Sequence, residues 1–278
     1  MNILYILPAL SAAVIWAWAS VVYGDFMRRL RPITVNLLRT TYTSIILLAP
    51  ALILGINTGA LWGSLSGLLS LAVGDSMYLT AISYSGVSIA SPVSYTYIPL
   101  AVLLAIPLGE PLTVFKAVAG LMIVPGVYLL SRGGESRLTI RGISYALSTA
   151  LAWALGQTFI KVAYVAGLNP VSVAFMRVAS AAFILLILNA SMRIDLLKAF
   201  KSTLFTILPL VAVLDLGLGV VLFTLSVGLI GLGLTVLVTG ITPLIAQVIA
   251  YVTGRESFNA AKLAGALVVV AAVALATV

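Results

Sequence analysis

Residues 18–40 read WASVVYGDFMRRLRPITVNLLRT, and residues 153–178 read WALGQTFIKVAYVAGLNPVSVAFMRV. Each stretch starts on Trp in an apolar run, passes a Pro, and reaches an Arg a few residues into the next apolar run. Pro32 answers to Pro170 and Arg39 to Arg177, both 138 positions apart. Further on, Pro99 of YIPLAVLLAIPLGE pairs with Pro243 of ITPLIAQVIAYVTGRE at 144, and Glu110 pairs with Glu256 at 146. A slowly growing offset is what small loop insertions produce. The chain therefore reads as two copies of one unit, residues 1–134 and 135–278.

Composition says what solvent those units meet. Of 278 residues 62% are hydrophobic, and only 15 Lys plus Arg and 7 Asp plus Glu are present. A soluble domain of this length carries roughly 70 charged residues. Mean hydropathy is +1.23. Apolar runs of about 20 residues recur from end to end, near 3–24, 34–54, 61–84, 88–108, 112–131, 141–166, 171–190, 204–229, 232–253 and 258–278. The breaks, such as GDFMRRLRP, SRGGESRLTIR and SMRIDLLKAFKS, hold the Gly, Pro and charge. The first run lacks the basic stretch that opens a signal peptide and has a counterpart in the second unit, so it counts as a helix. The runs are apolar on every side, which excludes porin-type strands of alternating polarity. The expectation is an all-α polytopic membrane protein with ten transmembrane helices.

The absent residue types exclude whole chemistries. With no Cys and no His there is no thiolate nucleophile, no imidazole relay and no conventional zinc or iron–sulfur site. No metal and no catalytic residue are expected. The net charge of +8 is explained by membrane topology rather than by nucleic acid. Connections 1–2, 3–4, 5–6, 7–8 and 9–10 hold Arg28, Arg29, Arg31, Arg39, Arg132, Arg137, Arg141, Arg193, Lys198, Lys201, Arg255 and Lys262. The other side holds Lys116, Lys161 and Arg177. This asymmetry places both termini outside the cytoplasm of a multi-pass plasma-membrane protein. Five spans per unit is an odd number, so the two units enter the membrane in opposite orientation.

Short-looped spans, a Trp, a Pro and a membrane-embedded Arg opening each half, and a Pro before GE or GRE at the fourth connection resemble the drug/metabolite transporter superfamily, specifically its EamA-type members. The resemblance covers essentially the whole chain. It implies a secondary transporter with a central cavity built by spans 1–4 and 6–9, spans 5 and 10 being peripheral. It also implies export or exchange of amino acids, metabolites or drugs. The lipid bilayer and a small organic solute are then the partners, and one chain holding both repeats suffices as a monomer.

Asp75 in SLAVGDSMYLT and Asp215 in LVAVLDLGLGV lie well inside apolar spans, where an ionised carboxylate is costly unless it faces a cavity or a partner. Their offset of 140 falls between those of the Arg and Pro pairs, which makes them candidate symmetry mates at the midplane. They are assigned to substrate binding and to uptake of a proton as coupling ion. Arg39 and Arg177 can hold an anion or close a gate, or snorkel to the interface, and snorkelling is the favoured reading. Lys161 has the same two readings, with snorkelling favoured, and Glu110 and Glu256 are expected at the N-termini of spans 5 and 10. Trp16, Trp18, Tyr78, Tyr84, Tyr95, Tyr97, Trp153 and Gln157 fall on the spans that the resemblance assigns to the cavity. Aromatic walls suit an organic solute. Two other readings compete: an intramembrane aspartyl protease with Asp75 and Asp215 as its dyad, and a passive channel or lipid flippase. The protease motifs are missing, since Ala72 and Leu214 stand where Gly and Tyr belong.

Overall fold

The computed structural model describes residues 3–132, 138–192, 194–254 and 259–277, and every regular element among them is helical. In chain order the helices are α1 (Leu4–Met27), α2 (Pro32–Leu54), α3 (Ala60–Ser85), α4 (Ile89–Leu108), α5 (Val114–Leu130), α6 (Ile140–Val165), α7 (Pro170–Ser191), α8 (Leu196–Thr203), α9 (Leu208–Ile230), α10 (Leu232–Val252) and α11 (Ala260–Ala276). Among the described residues, seven helices, α1–α4, α7, α9 and α10, are long and apolar enough to cross a membrane. The chain is an all-α polytopic membrane protein. Helices α5 and α11 are apolar but 17 residues long, about 25 Å at 1.5 Å per residue. Arg137, Arg193, Arg255 and Glu256 lie outside the described residues.

The core is mainly apolar, but α2 turns its polar side chains inward and apolar ones outward. On α2, Thr34, Asn36, Thr40 and Thr43 are buried, while Ile45, Leu52 and Ile53 are exposed. Lipid cannot satisfy a hydroxyl, so these groups bond back into the protein. Thr34 Oγ1 donates to Asn189 Oδ1 of α7 (2.9 Å), and Asn36 Nδ2 donates to the Leu71 carbonyl of α3 (2.8 Å).

Helices α2 and α7 run antiparallel along each other. The start of α2 meets the end of α7 at Thr34 and Asn189. The end of α2 meets the start of α7, where Ser172 Oγ donates to the Gly55 carbonyl (2.8 Å) and Asn169 Nδ2 to the carbonyls of Leu54 (3.3 Å) and Gly55 (3.1 Å). Helices α5 and α11 pack on each other, with Gly126 against Val269 and Gly265 against the Gly126 carbonyl. Small residues permit this close approach.

Two helices widen at mid-course. Residues Leu68–Gly74 of α3 and Val213–Gly219 of α9 form π-helical turns, seven residues each. Such turns leave main-chain groups displaced from the α ladder and recur at functional sites. After each widened helix the chain reverses at a glycine with nearly the same backbone angles, Gly86 (φ 74°, ψ 164°) and Gly231 (φ 85°, ψ 164°). Only glycine adopts that conformation without strain.

Sequence reading missed α8. Its residues sit in a stretch read as a charged connection, but Asp195 accepts the Lys198 amide (3.0 Å) as its N-cap, and Ala199 and Thr203 are buried on one face. Eight residues are too few for a 20-residue hydropathy signal.

Candidate functional site

A cavity of about 310 Å³ opens among α1–α4, α6, α7, α9 and α10, and α5, α8 and α11 take no part in lining it. Its lining starts at Met27 and Pro32, beside the basic connection between α1 and α2, and passes Arg39, Asp75 and Asp215. It reaches Gln157, Ser70 and Arg177 in the interior. On α1 the lining residues Trp16, Ser20, Tyr23 and Met27 are spaced i, i+4, i+7 and i+11, one face of a helix.

The far end is sealed. Glu110, in the connection between α4 and α5, accepts the amides of Leu232 (2.5 Å) and Gly233 (2.8 Å) at the start of α10 and pairs with Lys161 Nζ of α6 (3.1 Å). A carboxylate on the free amides of a helix N-terminus is favourable electrostatically. A Cβ on Gly231 would lie 2.7 Å from that carboxylate, so the glycine makes room for it. The Asn169 and Ser172 bonds to Leu54 and Gly55 close the same end. Two expectations are corrected. Lys161 does not snorkel but bonds a carboxylate inside the protein. Glu110 caps α10 rather than the next helix, because α5 already has the Thr113 hydroxyl as its N-cap.

Within the bundle Arg39 joins both acids of the apolar spans. Its Nη2 bonds Asp75 Oδ2, and its Nη1 lies 3.4 Å from Asp215 Oδ2. Its Nε donates to Asn36 Oδ1 (2.8 Å), and the Tyr23 ring lies beneath it at 5.3 Å. Tyr23 also donates its hydroxyl to Asp215 Oδ2 (2.8 Å), and Trp153 Nε1 donates to Asp75 Oδ1 (2.9 Å). Snorkelling is therefore corrected for Arg39: two carboxylates hold it inside. Arg177 is buried as well, at 3% exposure, because a Cβ at Gly67 of α3 would collide with its backbone and the two helices touch there.

The symmetry assumed for the aspartates does not hold. The π turns begin at 68 and 213, an offset of 145, not 140. In that register Asp215 answers to Ser70, and Asp75 answers to Val220. The contacts agree: Arg39 bonds Asp215, and Arg177 Nη2 donates to Ser70 Oγ (2.9 Å). The Trp alignment shifts too. Trp153 Nε1 bonds Asp75 over Gly74, and Trp16 Nε1 bonds the Asp215 carbonyl (3.1 Å) over Gly219, so Trp16 rather than Trp18 answers to Trp153.

Of the sequence candidates, Asp75, Asp215, Arg39, Arg177, Trp16, Tyr78, Tyr95, Tyr97, Trp153 and Gln157 all reach the cavity. Tyr78 and Tyr97 pack on Trp153 with centroids 5.1 and 5.7 Å away. Trp18 packs instead in the cluster around Tyr23 and Leu38, and Tyr84 stacks on Tyr145 away from the cavity. Tyr23, Asn36 and Ser70 were missed. Tyr23 was legible as i+7 from Trp16 and Asn36 as i−3 from Arg39; Ser70 had no signal beyond its place in a small-residue run.

The sequence model of the EamA-like transporter family matches this chain twice, over residues 3–132 and 140–278. The chain belongs to the EamA-like transporter family. An uncharacterized transporter of Archaeoglobus fulgidus is 28% identical over 280 residues, covering 98% of this chain and 97% of its own. A crystal structure of a protein at 20% identity superposes with a TM-score of 0.74, covering 98% of this chain and 95% of that one, which shows the shared fold alone. As an EamA-like transporter the chain is a membrane transporter and not an enzyme. Among the described residues no three His, Cys, Asp or Glu side chains gather as a metal site. The protease alternative also meets a geometric obstacle, since Arg39 bonds both carboxylates that a dyad would need to share a proton.

Proposed function

We propose that this EamA-like transporter is a secondary carrier, an exporter or exchanger, that moves a small organic solute by alternating access of two inverted five-helix repeats, residues 1–134 and 135–278. The observation that carries the reading is a cavity with one end open and the other closed by polar contacts. Such contacts can break and re-form, whereas a channel needs continuity from face to face. Three features support the repeats: two matches of one family model, antiparallel α2 and α7, and paired Trp–Gly contacts at Trp16 and Trp153. With the basic connections in the cytoplasm, the mouth at Met27 and Pro32 faces inward and both termini lie outside.

In this reading a proton is the coupling ion. Protonation of Asp75 or Asp215 removes one of the two negative charges on Arg39 and frees the guanidinium to move toward the remaining carboxylate. The two acids sit on the two broken helices, so that choice of partner couples the α3 side to the α9 side.

Counterflow in proteoliposomes tests this. Labelled amino acids, organic anions and organic cations are offered with and without a pH gradient, to the parent, Asp75→Asn and Asp215→Asn. Saturable flux in the parent that responds to the gradient, with the response lost in either variant, is expected. Flux that never saturates makes the protein a channel, and gradient dependence retained in both variants removes the aspartates from coupling.

A further inference from the structure

Two arginines and two aspartates line the cavity, but their bonds are shared unevenly. Both oxygens of Asp75 are occupied, Oδ1 by the Trp153 indole and Oδ2 by Arg39, and Asp215 Oδ2 receives Tyr23 and Arg39. The acids are therefore committed to a cation the protein itself supplies. Arg177 feels both carboxylates only through space and bonds neither. It borders the cavity, is buried, and offers five N–H groups. Among the described residues its side chain meets only neutral oxygens, Ser70 Oγ at 2.9 Å and Gln157 Oε1 at 3.5 Å, and its Nε has no partner. A guanidinium within a membrane protein is costly unless an anion or several strong acceptors meet it.

Arg39 shows what the site lacks. It has Asp215 where Arg177 has Ser70, so in the matching register one half supplies a carboxylate and the other a hydroxyl. We infer that the missing carboxylate is the solute's: Arg177 is the anchor for the carboxylate of an organic anion whose apolar body lies against Trp153 and Tyr78. The inference deepens the carrier reading and rests on it for the word solute. The head group docks deep in the cavity, between Ser70 and Gln157, and the aromatic rings contact the body nearer the mouth. The cavity volume is at the small end of ligand pockets, roughly 300 to 1,000 Å³, which suits a compact monocarboxylate. A primary amine finds only Asp215 Oδ1 outside these bonds, because Arg39 already bonds both acids.

A binding measurement that needs no transport tests this. Three probes share one body and differ in head group: 3-phenylpropionate, 3-phenylpropionamide and 3-phenylpropylamine. Each is titrated into the purified protein in detergent, read by quenching of tryptophan fluorescence, to which Trp153 and Trp16 contribute. The carboxylate is expected to bind saturably and more tightly than the amide and the amine. Arg177→Gln should weaken it by about ten- to a hundred-fold, the worth of charge-assisted hydrogen bonds, with partial recovery in Arg177→Lys. Equal binding of amide and carboxylate, tighter binding of the amine, no saturable response to the carboxylate, or unchanged carboxylate binding in Arg177→Gln overturns the assignment. The head-group ranking is read on the parent protein, so a variant that fails to fold does not block the test. Carboxylate binding at Arg177 without saturable flux sinks the carrier reading alone; flux with an amine preference sinks the anchor alone.

Discussion

Trp16 and Trp153 make matching contacts on two sides of the cavity: each indole covers a glycine of a widened helix and donates its Nε1 proton to an aspartate residue. Trp153 lies over Gly74 and donates to the Asp75 carboxylate at 2.9 Å, and Trp16 lies over Gly219 and donates to the Asp215 main chain at 3.1 Å. A Cβ at Gly74 would stand 2.6 Å from the Trp153 ring, and one at Gly219 would stand 2.7 Å from that of Trp16.

Adding a single methyl group at either glycine must therefore displace an indole. Gly74→Ala and Gly219→Ala are each expected to lower stability by about 1–3 kcal/mol, the usual cost of overpacking, and to perturb tryptophan fluorescence. Gly24→Ala, where nothing lies within 4 Å, is the control. Thermal unfolding in detergent measures all three; an unchanged Tm for Gly74→Ala means that the ring is not held where the structure has it.

Arg39 balances two acids, so its removal should cost more than removal of either. Arg39→Gln leaves two adjacent carboxylates without their cation, and losing one partner of a buried pair typically costs about 3–5 kcal/mol. Water reaching the cavity places the expected value at the low end. In a double-mutant cycle, Asp75→Asn should recover part of the loss caused by Arg39→Gln. Strict additivity of the two substitutions contradicts a direct bond between them.

Glu110 is expected to hold the far end shut. Glu110→Gln removes the ion pair with Lys161 and the negative charge at the α10 N-terminus, together worth about 1–2 kcal/mol. That is enough to shift an access equilibrium about five- to thirty-fold. The chain has no cysteine, so single cysteines report without further substitution. Ser226→Cys, nearly isosteric, buried close to the Gly231 reversal and beside Thr235 of α10, should react faster with an impermeant maleimide when Glu110 is Gln. The same reagent applied from outside the cell should label a cysteine at Asn57 but not one at Asp195. Labelling at Asp195 alone reverses the topology.

Much was legible because the bilayer imposes strong constraints on sequence. Ten apolar runs, their breaks and the recurring Pro and Arg are one-dimensional signals, and they located the helices to within a few residues. The cavity aromatics were found because a face of α1 and of α6 repeats at helical spacing, Trp16 with Ser20 and Tyr23, and Trp153 with Gln157. Asp75 and Asp215 stood out since a charge in an apolar span is costly and calls for a reason.

Partnerships were not legible. An offset in sequence counts residues, and the connection that holds α8, residues 192–207, is longer than its counterpart at 55–59, so Asp75 and Asp215 looked equivalent when Asp215 and Ser70 are. Whether Arg39, Arg177 and Lys161 reached for the interface or for a partner depended on groups far away in the chain, Asp215 at 176 positions for Arg39 and Ser70 at 107 for Arg177. The sequence alone determined that this chain lives in a membrane, because burial of apolar surface in lipid is a property of composition and period. Only the tertiary structure decided which charges are neutralised and which is left facing the cavity, because electrostatic pairing is a property of distance.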